Sequence, residues 1–186
     1  MTSAETFIII LLFILVIFSF IFNLVLLTYF LFFNVLGTLF LGAFFASSKK
    51  EIVEKIVLIS DVKPGEKAID LGSGDGRLVI ALAKAGAEAH GYEVNPILVW
   101  LSKKNIKKAG LEGKAFVHLK NFWIVDFSQF DVVMVYGISY IMKRLETKLK
   151  RELRPGSRVV SNYFVFPNWK HSKKENNAYL YEVLRS

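Results

Sequence analysis

The chain has 186 residues, 53% of them hydrophobic, and its 24 Lys and Arg against 16 Asp and Glu give it a net charge of +8. It contains no cysteine, which excludes disulfide bonds, cysteine-ligated zinc and thiol catalysis. His90, His118 and His171 lack the spacing of metal ligands, so no metal is expected. No nucleic-acid-binding motif accompanies the positive charge. We therefore expect the basic surface to contact anionic lipid headgroups and not nucleic acid.

The hydrophobic excess is concentrated near the N-terminus, where residues 6–48 form a run of 43 without a charged side chain. Residues 1–33 are predicted as one transmembrane helix, because about 20 apolar residues span a bilayer core. As a single helix the whole run would measure roughly 64 Å, about twice the hydrocarbon thickness. Residues 34–48 are therefore predicted to pack on the soluble domain, residues 49–186. A hairpin of two spans that turns near Asn23 is the alternative, disfavoured because no Gly or Pro lies there.

The distribution of charge predicts how the chain sits in the membrane. All 24 Lys and Arg follow Ser48, together with every acidic residue except Glu5. The positive-inside rule places such a domain in the cytoplasm. The chain is thus expected to be a single-pass membrane protein with a cytoplasmic soluble domain.

The soluble domain alternates short apolar runs with helical patterns. Strands are predicted at residues 67–71, 89–94, 115–119, 131–136, 158–164 and 178–184. Helices are predicted at residues 51–59, 76–85, 96–109 and 140–153. This alternation predicts an α/β fold with a mainly parallel sheet and helices on both faces. The last strand follows a short polar loop, "KHSKKENN", so that end of the sheet is expected to be antiparallel. The third helix is expected to carry a solvated face of lysines, namely Lys103, Lys104, Lys107 and Lys108.

A glycine-rich loop follows the first predicted strand in "AIDLGSGDGR", residues 68–77. A dinucleotide-binding loop has the pattern G-x-G-x-x-G, but its third glycine position is Arg77 here. The chain instead reads D-x-G-x-G-x-G, a spacing that resembles motif I of class I S-adenosylmethionine (SAM) methyltransferases. Glycines let the backbone approach a ligand closely, and the start of the following helix can bind a carboxylate. The cofactor residues implied by this motif are Asp70, Gly72, Ser73, Gly74 and Gly76.

Three more residues complete the predicted cofactor site. Glu93, in "GYEVNP", ends the second strand 21 residues after Gly72, where an acid can accept hydrogen bonds from both ribose hydroxyls. Asp70 is expected to complement the cationic amino group of SAM. Asn121 and Phe122, in "KNFW", are predicted to accept from the adenine amino group and to stack on the adenine ring. Local packing is the alternative for both.

Several segments together resemble one protein family. They are "VKPGEKAIDLGSGDGRLVIALAK", "GAEAHGYEVNP", "FDVVMVYG", "KLKRELRPGSRVVSNYF" and "FPNW". These segments are similar to those of the membrane-anchored class I protein-lysine methyltransferases, whose mitochondrial members modify the c-ring protein of ATP synthase and the adenine nucleotide translocase. The resemblance covers residues 42–169. It implies a Rossmann-like class I methyltransferase sheet preceded by one transmembrane helix, with SAM as the cofactor.

The segment before the first soluble helix departs from the family pattern. The family carries a G-A-P-Y/F-V-P-S/T stretch that shapes the substrate side of the pocket. This chain reads "GAFFASS" at residues 42–48, with Phe44 and Ser47 in place of the prolines. The resemblance implies Phe44, Phe45 and Ser48 as substrate-binding residues. SAM binding is expected to survive the change, whereas lysine specificity depends on it.

Aromatic residues are the candidates for the substrate pocket. A lysine nucleophile must be neutral, and holding it neutral at pH 7 costs about 4.6 kcal/mol. An apolar, aromatic pocket favours the neutral amine by desolvation. Tyr136, at the end of the fourth strand, is predicted to face the methyl group and is the candidate catalytic residue. Trp169 is a further candidate for substrate binding, and plain packing is the alternative for each aromatic.

The sequence therefore predicts a membrane-anchored SAM-dependent methyltransferase that modifies lysine side chains of a protein, including membrane proteins. A methyltransferase for a lipid or a quinone is the first alternative, because a membrane anchor would also present the pocket to substrates dissolved in the bilayer. A non-enzymatic SAM-binding protein is the second alternative, disfavoured by the intact glycine loop.

Overall fold

The computed structural model describes residues 3–32, 50–137 and 139–184. The chain divides into two units, Met1–Phe40 and Leu41–Ser186. In the first unit, helix α1 (Ser3–Leu31) has 29 residues. The 26 residues Thr6–Leu31 are long and apolar enough, by length and composition, to cross a membrane. The predicted connecting segment, residues 34–48, lies outside the described residues.

Helices and strands alternate along the second unit, as the sequence predicts. Its helices are α2 (Lys50–Ser60), α3 (Arg77–Lys84), α4 (Pro96–Lys108) and α5 (Ser139–Glu152). Its strands are β1 (Lys67–Leu71), β2 (Glu88–Glu93), β3 (Ala115–Leu119), β4 (Val132–Val135), β5 (Arg158–Asn162), β6 (Lys173–Glu175) and β7 (Ala178–Glu182). A short 3-10 helix (Phe122–Ile124) follows β3.

The seven strands form one sheet in the order β3-β2-β1-β4-β5-β7-β6. Strands β1 to β5 pair in parallel, and β7 runs antiparallel to β5. The chain moves outward from β1 to β3 and then crosses back to β4, so connections diverge at the carboxyl end of β1. Ligands bind at such a switch point in open α/β sheets. The predicted α/β fold is confirmed, and the glycine-rich loop begins at the switch point.

The two faces of the sheet carry separate hydrophobic cores. Alternate residues of a strand point to opposite faces. On one face, α2, α3 and α4 cover Ala68, Val132 and Val160. On the other face, α5 covers Ile69 and Val159. Both faces of β1 are therefore buried, which holds its carboxyl end and the following loop in a fixed position.

The far end of the sheet contains a strand that the sequence prediction missed. Residues 173–175, predicted as loop, form β6, which pairs antiparallel with β7 so that Glu175 lies opposite Ala178. The two-residue turn between them contains Asn176 with φ 52°, a conformation that asparagine tolerates in tight hairpin turns. The prediction was wrong because "KKE" shows no alternation of apolar and polar residues. The antiparallel pairing expected at this end is confirmed.

Candidate functional site

The loop of residues 72–76 joins β1 to α3 and has a glycine at every second position. Gly72, Gly74 and Gly76 have φ values of 86°, 55° and 80°, a region that residues with a side chain rarely adopt. A Cβ atom at Gly72 would meet no atom within 4 Å, so this side of the loop faces open space. A Cβ at Gly76 would lie 1.9 Å from the Ser102 Oγ on α4. Gly72 therefore leaves room for a ligand, while Gly76 lets the start of α3 pack closely on α4.

Strand β2 holds the first half of this loop. The backbone N–H groups of Gly72 and Ser73 donate to the Tyr92 carbonyl at 2.9 and 3.2 Å. A Cβ at Gly91 would lie 2.6 Å from both the Cβ and the Oγ of Ser73, so only glycine fits there. Ser73 is buried, and within the described ranges its Oγ has no hydrogen-bond partner. The structure thus places the predicted cofactor residue Ser73 directly against the backbone of β2.

The Glu93 carboxylate, at the end of β2, is bound by three backbone N–H groups. Gly74 donates to Oε2 at 3.0 Å. Val94 and Asn95 donate to Oε1 at 2.8 and 2.9 Å. Because a carboxylate has about four acceptor positions, one position on Oε2 is left for a ligand. Glu93 therefore holds the loop as well as standing where the ribose contact is predicted.

Asp70 lies two residues before the loop, with Gly91 and Met134 as its register partners on the neighbouring strands. It is only 6% exposed. Burial, and then the nearby carboxylates of Glu93 and Asp75, raise the pKa of Asp70 to about 7. Among the described residues, none donates a hydrogen bond to this carboxylate. A cation placed beside it would favour the charged form, which is the role predicted for the amino group of SAM.

The start of α3 is held by an ion pair and by α4. Arg77 donates to Asp75 from its Nε at 2.9 Å and also forms an ion pair with it. Burial opposes ionisation of Asp75, but the hydrogen bond from Arg77 outweighs it and lowers the pKa of Asp75 below its ordinary value. Asn105 of α4 donates from Nδ2 to the Asp75 carbonyl at 2.9 Å. The loop is thus fixed by β2 on one side and by α4 on the other.

The predicted adenine residues lie at the 3-10 helix after β3. The Asn121 Oδ1 accepts a 3.0 Å hydrogen bond from the Trp123 N–H and caps this helix, so one lone pair of Oδ1 is left for an adenine amino group. Phe122 is 7% exposed and belongs to the core on the α5 face. Its ring centroid is 4.9 Å from that of Trp123. Phe122 offers little surface for stacking, and both adenine contacts remain predictions.

Tyr136 follows β4 and forms an aromatic cluster with Tyr163 and Phe164. The ring centroids of these two residues lie 5.8 and 6.4 Å from that of Tyr136. Because Leu71 pairs with Val135 in the parallel register, Tyr136 lies next to the beginning of the glycine loop. Burial, and then Tyr163, raise the pKa of Tyr136, so its phenol is neutral at pH 7. The candidate catalytic residue therefore borders both the loop and an aromatic surface.

Sequence reasoning missed the two partners of Tyr136, because residues 158–164 were predicted as one continuous strand. The strand ends at Asn162, and Tyr163 has φ 68°. A non-glycine residue in this region is strained, and such strain is often found at functional sites. The apolar alternation of the segment contains no signal for this backbone turn.

The remaining predicted substrate residues are not part of this cluster. Trp169 contacts Phe166 and Tyr181, with centroids 5.6 and 5.4 Å apart. The Lys150 Nζ lies 5.4 Å from the centre of the Trp169 ring. These contacts are with the core on the α5 face, so the described arrangement does not bring Trp169 to Tyr136. The other three predicted residues, Phe44, Phe45 and Ser48, lie outside the described residues.

The charges and hydrogen-bonding groups of the site fit SAM. The molecule carries a cationic amino group, two ribose hydroxyls and a carboxylate. Asp70 offers a buried carboxylate, Glu93 offers an acceptor position, and the loop beside Gly72 is open. No group of three or more His, Asp or Glu side chains among the described residues could hold a metal ion.

Comparison with known proteins identifies relatives along most of the second unit. The family model of the ANTKMT methyltransferase domain matches residues 70–173. The lysine N-methyltransferase of Rattus norvegicus that is named for the c-ring protein of ATP synthase is 42% identical over 125 residues, which cover 67% of this chain and 57% of the rat protein. This chain thus spans little more than half the length of that relative. A protein-lysine N-methyltransferase of Saccharolobus islandicus is 34% identical over 67% of this chain and 79% of its own length.

A solved structure supports the same assignment. The RNA methyltransferase from Salinibacter ruber, in complex with S-adenosyl-L-homocysteine, superimposes with a TM-score of 0.73 and 29% sequence identity. The superposition covers 76% of this chain and 95% of the other. The fold, the glycine loop and the family match agree. The chain belongs to the family of the ANTKMT methyltransferase domain, a class I methyltransferase family, and its cofactor is S-adenosylmethionine.

Proposed function

We propose that this protein is a membrane-anchored enzyme that transfers the methyl group of SAM to the side-chain nitrogen of lysine residues in a protein substrate. The observation that carries the proposal is the meeting of two surfaces at the carboxyl edge of the sheet. One is the cofactor cradle of Asp70, the loop of residues 72–76 and Glu93. The other is the aromatic cluster around Tyr136, which follows the strand beside β1.

Each part of the cradle has a role that suits its chemistry. Asp70 binds the amino group of SAM, because a buried carboxylate favours a cationic partner. The Glu93 carboxylate accepts from the ribose, and the N-terminus of α3 attracts the carboxylate. Asn121 and Phe122 contact the adenine. Gly72, Gly74 and Gly76 keep the loop backbone free of side chains where the cofactor lies.

The aromatic cluster prepares the lysine. SAM, when bound, supplies an electrophilic methyl group on a sulfonium, and the chain must hold a neutral amine in line with it. The rings of Tyr136, Tyr163 and Phe164 remove water from around the amine, which lowers its pKa. The Tyr136 phenol carries no negative charge at pH 7, so it can accept a hydrogen bond from the amine without favouring the protonated form. The lysine proton leaves to solvent before the nitrogen–carbon bond forms.

The choice of a protein lysine as acceptor is supported by the relatives, which are named lysine N-methyltransferases. The membrane anchor is supported by α1, whose 26 uncharged residues Thr6–Leu31 match the thickness of a bilayer. The charge distribution of the sequence supports a single pass with the methyltransferase domain in the cytoplasm.

Incubation of the full-length protein with membranes and methyl-labelled SAM tests the proposal. Label should appear in the protein fraction and, after acid hydrolysis, in methylated lysine. Gly74→Val, which places a side chain in the cradle, is the inactive control. Label in the lipid fraction would instead identify a lipid or quinone methyltransferase, and no label in either fraction would leave only a SAM-binding protein.

The segment of residues 42–48 is proposed to form one wall of the substrate pocket. Phe44→Ala together with Phe45→Ala should leave SAM affinity unchanged and lower methyl transfer. Phe33→Ala, in the predicted membrane helix, is the matched control and should change neither. Equal methyl transfer by the unmodified protein and both variants would remove Phe44 and Phe45 from the pocket and would place the same doubt on Ser48.

Orientation is tested separately by proteolysis. Protease added to intact cells should leave the methyltransferase domain uncut, and lysis should expose it. Digestion of the domain in intact cells would overturn the cytoplasmic placement.

A further inference from the structure

Helix α4 has an outer face that combines apolar and basic side chains without acidic ones. Its inner side chains, Val99, Ser102 and Ile106, are buried in the core. Ile97 and Trp100 on the outer side are 62% and 63% exposed. We call the exposed set the α4 outer face; its members are Ile97, Trp100, Lys103, Lys104, Lys107 and Lys108.

The apolar part of this face continues onto the sheet. Leu119, at the end of β3, is 58% exposed and pairs in register with Glu93, just before α4 begins. Lys120 is also exposed, and its backbone N–H donates to the Glu93 carbonyl at 3.0 Å. The patch therefore reaches the carboxyl edge of the sheet, where the cofactor cradle lies.

The lysines of this face lack the partners that basic residues have elsewhere in the second unit. On α5, Lys148 pairs with Glu152 at 2.6 Å and Lys150 pairs with Glu146 at 2.7 Å. Among the described residues, no carboxylate forms an ion pair with a lysine of the α4 outer face. Lys104 instead lies 5.4 Å from the centre of the Trp100 ring. The face thus presents a net positive charge with no local compensation.

We propose that the α4 outer face docks the methyltransferase domain onto a bilayer surface that contains anionic lipids. Tryptophan is enriched at the boundary between headgroups and acyl chains, where its ring is apolar and its N–H stays in contact with water. Lysines beside such a ring attract anionic headgroups. A binding surface for nucleic-acid phosphate typically uses arginine forks, and α4 contains four lysines and no arginine. This docking is distinct from the membrane anchor and from the chemistry of methyl transfer.

Docking would aim the active site along the membrane surface. The N-terminal end of α4 follows Glu93 directly, so insertion of Ile97 and Trp100 would bring the carboxyl edge of the sheet close to the headgroups. A domain tethered by a membrane helix meets that surface at an effective concentration of about millimolar. Weak contacts therefore suffice to hold it there.

The test uses the full-length protein, whose lack of native cysteine allows a single spin label. Ile97→Cys places the label on the α4 outer face, and Thr147→Cys, at an exposed position of α5 on the opposite face of the sheet, is the control. Both proteins are reconstituted in lipid discs of phosphatidylcholine alone or of phosphatidylcholine mixed with phosphatidylserine. Collisions with oxygen and with a water-soluble nickel chelate report the depth of each label.

In discs with phosphatidylserine, the label at position 97 should become more accessible to oxygen and less accessible to the chelate. High salt should reverse the change, and Lys104→Glu with Lys108→Glu should lower the ratio of docked to undocked protein by about tenfold or more. The label at position 147 should not respond. The proposal is overturned if position 97 is insensitive to anionic lipid, or if it becomes protected only when a protein substrate is added. The salt comparison keeps the test decisive even if the charge-reversed variant fails to fold.

Discussion

The Gly74 backbone N–H donates a 3.0 Å hydrogen bond to the Glu93 Oε2, across 19 residues of sequence. This contact joins the glycine loop after β1 to the end of β2. Because Glu93 also accepts from Val94 and Asn95, the carboxylate orders the backbone on both sides of the cofactor cradle. A second ribose hydroxyl could bind Glu93 only if the Gly74 N–H released Oε2.

Glu93→Ala should weaken SAM binding by about 1.5–3 kcal/mol, the usual contribution of hydrogen bonds to a charged group. Glu93→Gln should not restore it, because the amide N–H₂ would face a backbone donor. Titration calorimetry measures both. Glu112→Ala, at an exposed glutamate after α4, is the matched control and should bind normally. Wild-type affinity in Glu93→Ala would exclude Glu93 from the cofactor site.

The affinity for SAM should fall as the pH is lowered from about 8 to about 6, because Asp70 has a pKa of about 7 in the ligand-free protein. The cationic amino group requires the carboxylate form, so below this pKa a proton must leave when SAM binds. The loss approaches tenfold per pH unit. Calorimetry in two buffers of different ionisation enthalpy should detect the released proton. Asp70→Asn should bind more weakly at pH 8 and show no such proton release; an unchanged release would assign it to another group.

The same carboxylate should destabilise the ligand-free protein at high pH. A carboxyl group whose pKa is raised on folding holds its proton more tightly in the folded state, so stability falls as the pH rises from its unfolded value toward about 7. Asp70→Asn removes this penalty. Its melting temperature, relative to the unmodified protein, should rise more at pH 8 than at pH 5, and an equal shift at both values would contradict the raised pKa.

Gly91→Ala should destabilise the fold and weaken SAM binding together. The new methyl group would lie 2.6 Å from Ser73 and 2.8 Å from Val79 Cγ2, and overpacking of this kind costs roughly 1–3 kcal/mol. Ser73→Gly in the same chain removes one of the two clashes and should recover part of both losses. A double-mutant cycle by denaturant unfolding measures the coupling. Additive effects would mean that Gly91 and Ser73 act independently.

Tyr163 should show a conflict between stability and activity. Its φ of 68° favours glycine over any residue with a Cβ, so Tyr163→Gly should be more stable than Tyr163→Ala by about 1 kcal/mol. Both variants lose the ring beside Tyr136 and should lose methyl transfer to a similar extent. Thermal unfolding and the labelled-SAM assay measure the two properties. Normal activity in both variants would make Tyr163 a residue of structure only.

The sequence predicts the order of elements well and the details of the site less well. Strands β1 and β3 have the predicted bounds, because apolar runs flanked by turn residues mark buried strands. The loop glycines and Glu93 are recognised by spacing alone. The turn at Tyr163 and the elevated pKa of Asp70 are not, since both depend on neighbours that only the folded chain brings together. The hairpin strand β6 escapes prediction because its side chains face solvent on both sides of the edge.

The absence of a side chain at Gly91 has a consequence for how quickly and how tightly a ligand can be captured. Since the loop rests on the strand backbone, its shape does not depend on the rotamer of any residue beneath it. The conformational entropy of ordering the loop is then lost once, when the domain folds, and not again at each binding event. The cradle is preorganised, so most of the free energy of its contacts remains available to retain the ligand.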